Sequence, residues 1–222
     1  MNTIFLWLLP GRRISRHTPI SKALRGALLL LMLCTGWARA DTVLLLGDSL
    51  SAAYRIPQEA SWPELMAKQF PEAAVLKNAS VSGETTAGGL ARLPALLAEN
   101  EVDLLIIELG GNDGLRGYPI ASIRQNLEKM IKLGQAEGAQ VLLVGMHIPP
   151  NYGRRYTEQF HQIYVQLAKT HELPLVPFLL EGVATNPALM QSDGIHPTAE
   201  AQPVIRDLVT PAVLTLLSDN HP

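Results

Sequence analysis

Short, wholly apolar runs alternate along the chain with segments whose apolar residues recur at helical spacing. A run of this kind is typical of a strand that is buried on both faces of a parallel sheet. Five such runs predict strands at residues 43–46, 74–76, 104–107, 141–144 and 173–176. Strands that alternate with helices form right-handed βαβ units. The pattern therefore predicts an α/β fold, a three-layer α/β/α domain around a five-stranded parallel sheet.

The segments between these strands carry apolar stripes at intervals of three and four residues, which predict helices. The stripes consist of Leu90, Leu93 and Leu97; of Ile120, Ile123, Leu127, Met130 and Ile131; and of Tyr156, Phe160, Ile163 and Leu167. Ser61 and Glu64 have the spacing of a capping box, with Pro63 in the first turn of the helix. A last helix is expected at residues 198–217, with a kink near Pro211. No repeat or linker appears, so residues 41–222 are expected to form one domain.

The first 40 residues differ from the rest and resemble an export signal. They contain six basic side chains and no acidic ones, followed by the apolar run 26–34 and the small residues of Ala38-Arg39-Ala40. This order of charge, apolar run and small residues predicts a signal peptide at residues 1–40 that is cleaved after Ala40, hence a periplasmic protein. A retained membrane anchor is the alternative, but a span needs about 20 apolar residues. We therefore expect no stable anchor after cleavage.

Charge and cysteine usage exclude several classes of protein. Removing the six N-terminal basic residues from the 18 basic and 20 acidic residues of the chain leaves 12 against 20, about −8, for residues 41–222. Such an acidic body disfavours binding to nucleic acid. The single cysteine, Cys34, lies in the N-terminal stretch. Disulfides, thiolate metal sites and cysteine nucleophiles are therefore excluded from residues 41–222.

Polar residues of four loops are expected to meet at one edge of the sheet. Ser49 follows the first predicted strand, Gly83 the second and Asn112 the third, while Asp193 and His196 come after the fifth. Ligands of open parallel sheets bind beyond the carboxyl ends of the strands. A serine needs a base to become a nucleophile, and His196 oriented by Asp193 would provide one. The N–H groups of Ser49 and Gly83 and the amide of Asn112 could then stabilise an oxyanion.

Each of these residues also has a simpler interpretation. Ser49 could cap a following helix, Gly83 could be a turn glycine, and Asn112 could bond its own backbone. Asp193 could form a turn, and His196 could be a surface histidine. The catalytic interpretation is favoured because four separate loops would otherwise have to converge on the same edge by accident.

The motifs that carry these residues resemble those of the GDSL, or SGNH, hydrolases. They are Gly47-Asp48-Ser49-Leu50, Gly83, Gly110-Gly111-Asn112-Asp113 and Asp193-Gly194-Ile195-His196. The resemblance implies a flavodoxin-like SGNH-hydrolase fold, Ser49 as nucleophile, Asp193 and His196 as its partners, and Ser49, Gly83 and Asn112 as the oxyanion hole. It also implies an exported, cofactor-free hydrolase of broad acyl specificity. Ala53 and Glu84 stand where the family would have glycine and aspartate.

The sequence supports other catalytic or metal sites less well than it supports a site around Ser49. Gly47-x-Ser49-x-Ser51 lacks the last glycine of the α/β-hydrolase elbow, and His171-Glu172 lacks the second histidine of a zinc protease motif, so no metal is expected. His147 is a rival base, although its neighbouring prolines favour a lining or structural role. Asp48 and Glu108 lie beside the site, and each is expected to cap a helix or support the catalytic residues and not to act directly in catalysis. Leu109 and Leu115 could contact an acyl chain or belong to the core.

These observations predict an exported serine hydrolase, a monomer that acts on acyl esters, thioesters and lysophospholipids through an acyl-serine intermediate. A carbohydrate O-deacetylase of the same fold is the alternative among enzymes. A non-catalytic, exported lipid-binding protein is the alternative from another class. The complete set of serine, glycine, asparagine, aspartate and histidine argues against the latter.

Overall fold

A computed structural model describes residues 40–219, and all five expected strands are present in it. They are β1 (Asp41–Gly47), β2 (Ala74–Asn78), β3 (Leu104–Glu108), β4 (Gln140–Val144) and β5 (Leu175–Val176). All neighbouring strands pair in parallel, in the order β2-β1-β3-β4-β5. The edge strand β5 has only two residues and is shorter than predicted. The five-stranded parallel sheet is confirmed.

Six α-helices lie between and after the strands within the described residues. They are α1 (Trp62–Ala67), α2 (Thr86–Glu99), α3 (Gly111–Leu115), α4 (Ile120–Ala136), α5 (Arg154–Thr170) and α6 (Gln202–Asp219). Pro94 lies inside α2, and Pro211 lies inside α6. The last helix begins at Gln202 and not at Thr198, because Ala199–Ala201 form a 3₁₀ turn first. The expected kink near Pro211 stays a prediction.

Alternate residues of the strands supply two separate hydrophobic cores. Leu44 and Leu46 of β1 face one side of the sheet, where they pack with buried residues of α2, α4 and α5. Val43 and Leu45 face the other side, against α1 and α6. Because neighbouring side chains of a strand point to opposite faces, a run that is apolar throughout requires a helical layer on each face. The predicted three-layer α/β/α architecture is confirmed.

The capping box predicted at Ser61 is wrong. Ser61 does occupy the N-cap position of α1, but its side chain makes no capping bond. The hydroxyl donates instead to the carbonyl oxygen of Gln58 at 2.7 Å. The preceding 3₁₀ turn, Gln58–Ala60, places an acceptor within reach, and that contact replaces the bond to the helix backbone.

The predicted export signal lies outside the described residues, so its cleavage stays a prediction. Within residues 40–219, no helix has both the length and the hydropathy that crossing a membrane requires.

The carboxyl ends of the central strands meet at one edge of the sheet. Gly47, the last residue of β1, is in register with Glu108, the last residue of β3. The N–H of Val81, in the loop after β2, donates to the carbonyl oxygen of Gly47 at 3.1 Å. The loops that leave β1, β2 and β3 are therefore neighbours, as the sequence predicted.

Candidate active site

The loop after β1 presents Ser49 at this edge. The N–H groups of Ser51 and Ala52 both donate to the carbonyl oxygen of Asp48, at 3.2 and 3.0 Å, and so close a tight turn around Ser49. Only 9% of Ser49 is exposed. The first α-helix after β1 begins as far on as Trp62. The alternative of Ser49 as the cap of a following helix is therefore wrong.

Ser49, His196 and Asp193 form a continuous chain of hydrogen bonds. The Nε2 atom of His196 lies 2.9 Å from the Oγ atom of Ser49, and its Nδ1 atom lies 2.9 Å from Oδ2 of Asp193. A carboxylate only accepts hydrogen bonds, so Nδ1 must carry the proton and Nε2 is left to accept from the serine. This tautomer is the one that a general base requires.

Asp193 is held in its ionised form by its own loop. Its Oδ1 atom accepts from the backbone N–H groups of Ile195 and His196, at 2.9 and 3.0 Å. Desolvation by itself would raise the pKa of Asp193, but these two hydrogen bonds and the contact with His196 outweigh it and lower the pKa from 3.8 to about 2. The carboxylate that orients His196 is thus charged at any physiological pH.

The Asp193–His196 turn is closed by the backbone on either side of it. The N–H of Gln191 donates to the carbonyl oxygen of His196 at 2.7 Å, and the N–H of Gly194 donates to Gln191 at 2.9 Å. Gly194 has a φ of 67°, a left-handed conformation that glycine adopts without steric cost. The local sequence therefore brings acid and base together with little help from the rest of the fold.

Three candidate hydrogen-bond donors lie in the turn of Ser49 and in the segments that follow β2 and β3. Within residues 40–219, the N–H groups of Ser49 and Gly83 donate to no protein group. Gly83 has a φ of 80°, and its carbonyl oxygen accepts a hydrogen bond from Arg116 at 3.2 Å, which restrains the peptide that follows Gly83. The amide nitrogen of Asn112 donates to Oδ2 of Asp48 at 3.0 Å, which leaves its second hydrogen free.

Asn112 is anchored through its neighbour in the sequence. Asn112 lies in the first turn of the short helix α3, where the sequence indicated only a loop. The next residue, Asp113, is buried and accepts from both the N–H and the hydroxyl of Thr86, at 2.9 and 2.6 Å. Because Thr86 begins α2, this contact joins the loop that carries Gly83 to the helix that carries Asn112.

Two buried carboxyl groups lie behind the nucleophile. Oε2 of Glu108 accepts from the N–H of Asp48 at 3.1 Å and from the hydroxyl of Ser51 at 2.6 Å. A side chain at Gly47 would place its Cβ 2.5 Å from that same oxygen, so only glycine leaves room for the carboxyl group. Glu108 thus supports the turn from behind, as expected, and Asp48 supports Asn112.

Burial raises the pKa values of both carboxyl groups. The pKa of Asp48 rises from 3.8 to about 7, because desolvation outweighs the hydrogen bonds from Leu50 and Asn112, and the carboxylates of Asp113 and Glu84 add to the rise. Burial and the neighbouring Asp48 also raise the pKa of Glu108 well above its ordinary value. Two neighbouring carboxyl groups in a buried site favour protonated forms.

Asp48 should make the stability of the fold depend on pH. The pKa of Asp48 is raised on folding. Its contribution to the free energy of unfolding is therefore fully present below about pH 4 and is lost as pH rises through about 7. We expect Asp48→Asn to lose less stability than the wild type between pH 5 and pH 8, by something on the order of 1–3 kcal/mol. Urea unfolding at both pH values measures the difference. Identical losses in the two proteins would contradict a protonated Asp48 at pH 5.

Other residues singled out from the sequence lie elsewhere. His147 stacks on His161, with ring centroids 3.9 Å apart, and meets the edge of Phe178, so these ring contacts lie outside the triad. Leu109 is fully buried in the core, which favours the second of its two interpretations over a contact with an acyl chain. Leu115 is partly buried against the same core. Among residues 40–219, no group of three or more metal-ligating side chains is present.

Tyr54 is a residue of the site that the sequence did not indicate. Its ring stacks on the ring of His196, with centroids 4.1 Å apart and planes at 30°. Nothing in the pattern around residue 54 marks it, because the contact joins residues far apart in the chain.

Comparison with known proteins identifies the family. The model of the GDSL-like lipase/acylhydrolase family matches residues 45–203. Esterase TesA of Pseudomonas aeruginosa is 49% identical over 192 residues, which cover 85% of this chain and 96% of that protein. Thioesterase 1/protease 1/lysophospholipase L1 of Escherichia coli K12 is 42% identical over 220 residues, covering 99% of this chain and 97% of that protein.

A solved structure agrees with these matches. The psychrotrophic esterase EstA from Pseudoalteromonas sp., inhibited by monoethylphosphonate, has a TM-score of 0.75 at 42% identity and covers 80% of this chain and 99% of its own. The fold, the site and these relatives define a hydrolase of acyl esters. The chain belongs to the GDSL-like lipase/acylhydrolase family.

Proposed function

We propose that the enzyme cleaves acyl esters and thioesters by way of an acyl group bound covalently to Ser49. One observation carries this proposal: the two hydrogen bonds of 2.9 Å that join Ser49 Oγ, His196 and Asp193 in the order a base-activated serine requires. The relative solved with monoethylphosphonate adds support, because phosphonates mimic the tetrahedral state of acyl transfer.

The proposed reaction has two similar halves. Nε2 of His196 takes the proton of Ser49 as Oγ bonds to the substrate carbonyl carbon. The proton then passes from Nε2 to the departing alkoxide or thiolate, whose bond to carbon breaks, and the acyl group stays on Ser49. A water molecule repeats the attack with His196 again as base, which releases the acid and restores Ser49. In both halves the Asp193 carboxylate stabilises the imidazolium.

The oxyanion of each half would be stabilised by Ser49, Gly83 and Asn112. The contact with Asp48 restrains the Asn112 amide before substrate arrives, so little reorganisation is needed during reaction. All three donors are proposed to act on charge that exists only in the tetrahedral state.

Asn112→Ala should therefore lower kcat by about 10²–10³ and change KM little. Ser49 should still react with a fluorophosphonate at a reduced rate, because His196 and Asp193 are untouched. Steady-state kinetics with a p-nitrophenyl ester measure the effect, and Asn100→Ala, at the far end of α2, is the matched control. A raised KM with an unchanged kcat would make Asn112 a ground-state substrate contact instead.

The proposed substrates are small acyl esters, thioesters and lysophospholipids, as the names of the relatives suggest. Exposed apolar side chains flank the site: Val81, near Gly83, is 47% exposed, and Ile195, beside His196, is 40% exposed. Apolar surface at these positions favours an acyl chain over a sugar.

A chain-length series tests the substrate class. Purified protein should hydrolyse p-nitrophenyl esters and acyl thioesters with chains longer than acetyl, and Ser49→Ala should not. Turnover of acetyl esters alone would favour the carbohydrate deacetylase. Binding of lipid without any turnover would favour the lipid-binding protein.

We also propose that the enzyme is exported to the periplasm as a monomer without residues 1–40. The charge pattern and the small residues before Asp41 support this. The intact mass of protein from the periplasmic fraction should correspond to a chain that begins at Asp41. A mass that retains residues 1–40 would contradict cleavage.

A further inference from the structure

The imidazole of His196 is restrained by hydrogen bonds at its two nitrogen atoms and by a second ring that stacks on one of its faces. Asp193 and Ser49 make hydrogen bonds with its two nitrogen atoms, at 2.9 Å each. The ring of Tyr54 covers one face, at 4.1 Å between centroids and 30° between planes. With hydrogen bonds only at its two nitrogen atoms, the imidazole could still rotate about the axis through those atoms. The stacked Tyr54 ring opposes that rotation.

The backbone around Tyr54 adopts a conformation that non-glycine residues rarely take. Ala53 and Arg55, the residues on either side of Tyr54, both have a φ of 55°. Left-handed conformations of this kind persist only where the surroundings impose them, and they cluster at functional sites. At residue 53 the family resemblance would have glycine. This chain thus retains the turn at a steric cost, and the turn aims Tyr54 at His196.

A single side chain joins this turn to the loop of His196. Nε2 of Gln191 donates to the carbonyl oxygen of Tyr54 at 3.0 Å and to that of Pro197 at 2.9 Å. The backbone N–H of Gln191 donates to the carbonyl oxygen of His196 itself. The Tyr54 backbone and the His196 loop are therefore held at a fixed separation, independently of the ring contact.

We propose that Tyr54 is a positioning residue for the acid–base step, a role that rests on the proposed function of His196. Its ring keeps the imidazole aligned between Ser49 and Asp193. The negative face of an aromatic ring also attracts a cation, so the stack stabilises the imidazolium that forms as Ser49 loses its proton. The Asp193 carboxylate lies against this imidazolium, with Oδ2 2.9 Å from Nδ1. The guanidinium of Arg55 also lies over the Tyr54 ring, with its Cζ 4.9 Å from the centroid.

Both effects act on the transition state, whereas a contact with the acyl chain would act on substrate binding. Tyr54→Leu, which removes the ring, should lower kcat about tenfold and change KM less than about twofold. The rate of Ser49 labelling by a fluorophosphonate should fall by a similar factor, because labelling uses the same activated serine. Tyr54→Phe, which keeps the ring, should restore both rates.

The controls separate this proposal from a general loss of structure. Phe70→Leu removes an aromatic ring just before β2, at the opposite edge of the sheet, and should leave kcat unchanged. The midpoint of thermal unfolding is measured for each variant; should Tyr54→Leu not fold, Tyr54→Met replaces it with the same expectation.

Three results would overturn the proposal: an unchanged kcat in Tyr54→Leu, a rise in KM alone, or an equal loss in Tyr54→Phe. The first would show that the ring is dispensable, the second that it contacts substrate, and the third that its hydroxyl matters. Failure of the proposed function has a different signature, since Ser49→Ala would then remain active.

Discussion

Ser49→Ala should remove nearly all turnover, with a loss in kcat of about 10⁶-fold on any ester that the wild type hydrolyses. The alanine has no oxygen to form the acyl intermediate, and His196 loses the group whose proton it takes. The oxyanion donors remain in place, so a small residual rate above that in water is expected. Hydrolysis of a p-nitrophenyl ester, followed with enzyme at high concentration, measures the loss.

A serine far from the site serves as a control for a loss of activity caused by impaired folding. Ser218 lies near the end of α6, where its hydroxyl donates to the carbonyl oxygen of Thr215, and Ser218→Ala should keep full activity. A Ser49→Ala enzyme within tenfold of the wild type would mean that another group forms the intermediate, or that none forms.

Asp193→Asn should have the second largest effect, a loss of up to about 10⁴-fold in kcat. Oδ1 of Asp193 accepts from two backbone N–H groups, so the carbonyl oxygen of an asparagine would occupy that place. Its NH₂ group would then face Nδ1 of His196. That nitrogen would have to accept, and the ring would carry its proton on Nε2, where it cannot take a proton from Ser49.

The control for this variant is an aspartate on the surface. Asp207 pairs with the neighbouring Arg206, and Asp207→Asn should leave kcat unchanged. Steady-state kinetics on both variants provide the comparison. A loss of less than about tenfold in Asp193→Asn would show that His196 finds its tautomer without the carboxylate.

The apolar runs predicted the sheet well, because a strand that is buried on both faces consists of consecutive apolar residues. The run 43–46 is apolar throughout because helices cover both faces of β1, and the same holds for β3 and β4. The length of the edge strand β5 was overestimated, because apolar residues beside a sheet need not form hydrogen bonds with it. The two residues of β5 pair with Leu143 and Val144 of β4.

The residues that meet at the site could also be predicted, because parallel strands carry their loops to one edge. The structure brings Ser49, His196 and Asp193 together, and it places Gly83 in the loop after β2 and Asn112 in the first turn of α3. Their catalytic roles stay predictions until the variants are measured.

Contacts that depend on packing between distant segments could not be predicted. Ser61 has the spacing of a capping box, but a nearby carbonyl oxygen competes for its hydroxyl. Leu109 is as apolar as an acyl contact would be, and only the packing of α4 and α5 shows that it is core. The stack of Tyr54 on His196 joins two loops 142 residues apart, and no local pattern reports it.

The central claim is that Ser49 is the nucleophile, and covalent labelling tests it most directly. Purified protein is treated with a fluorophosphonate, its intact mass is measured, and the modified peptide is mapped. The account predicts one adduct per chain, on Ser49, and complete loss of turnover in proportion to labelling. An adduct on Ser51 or Ser82, or full labelling that leaves turnover intact, would contradict it.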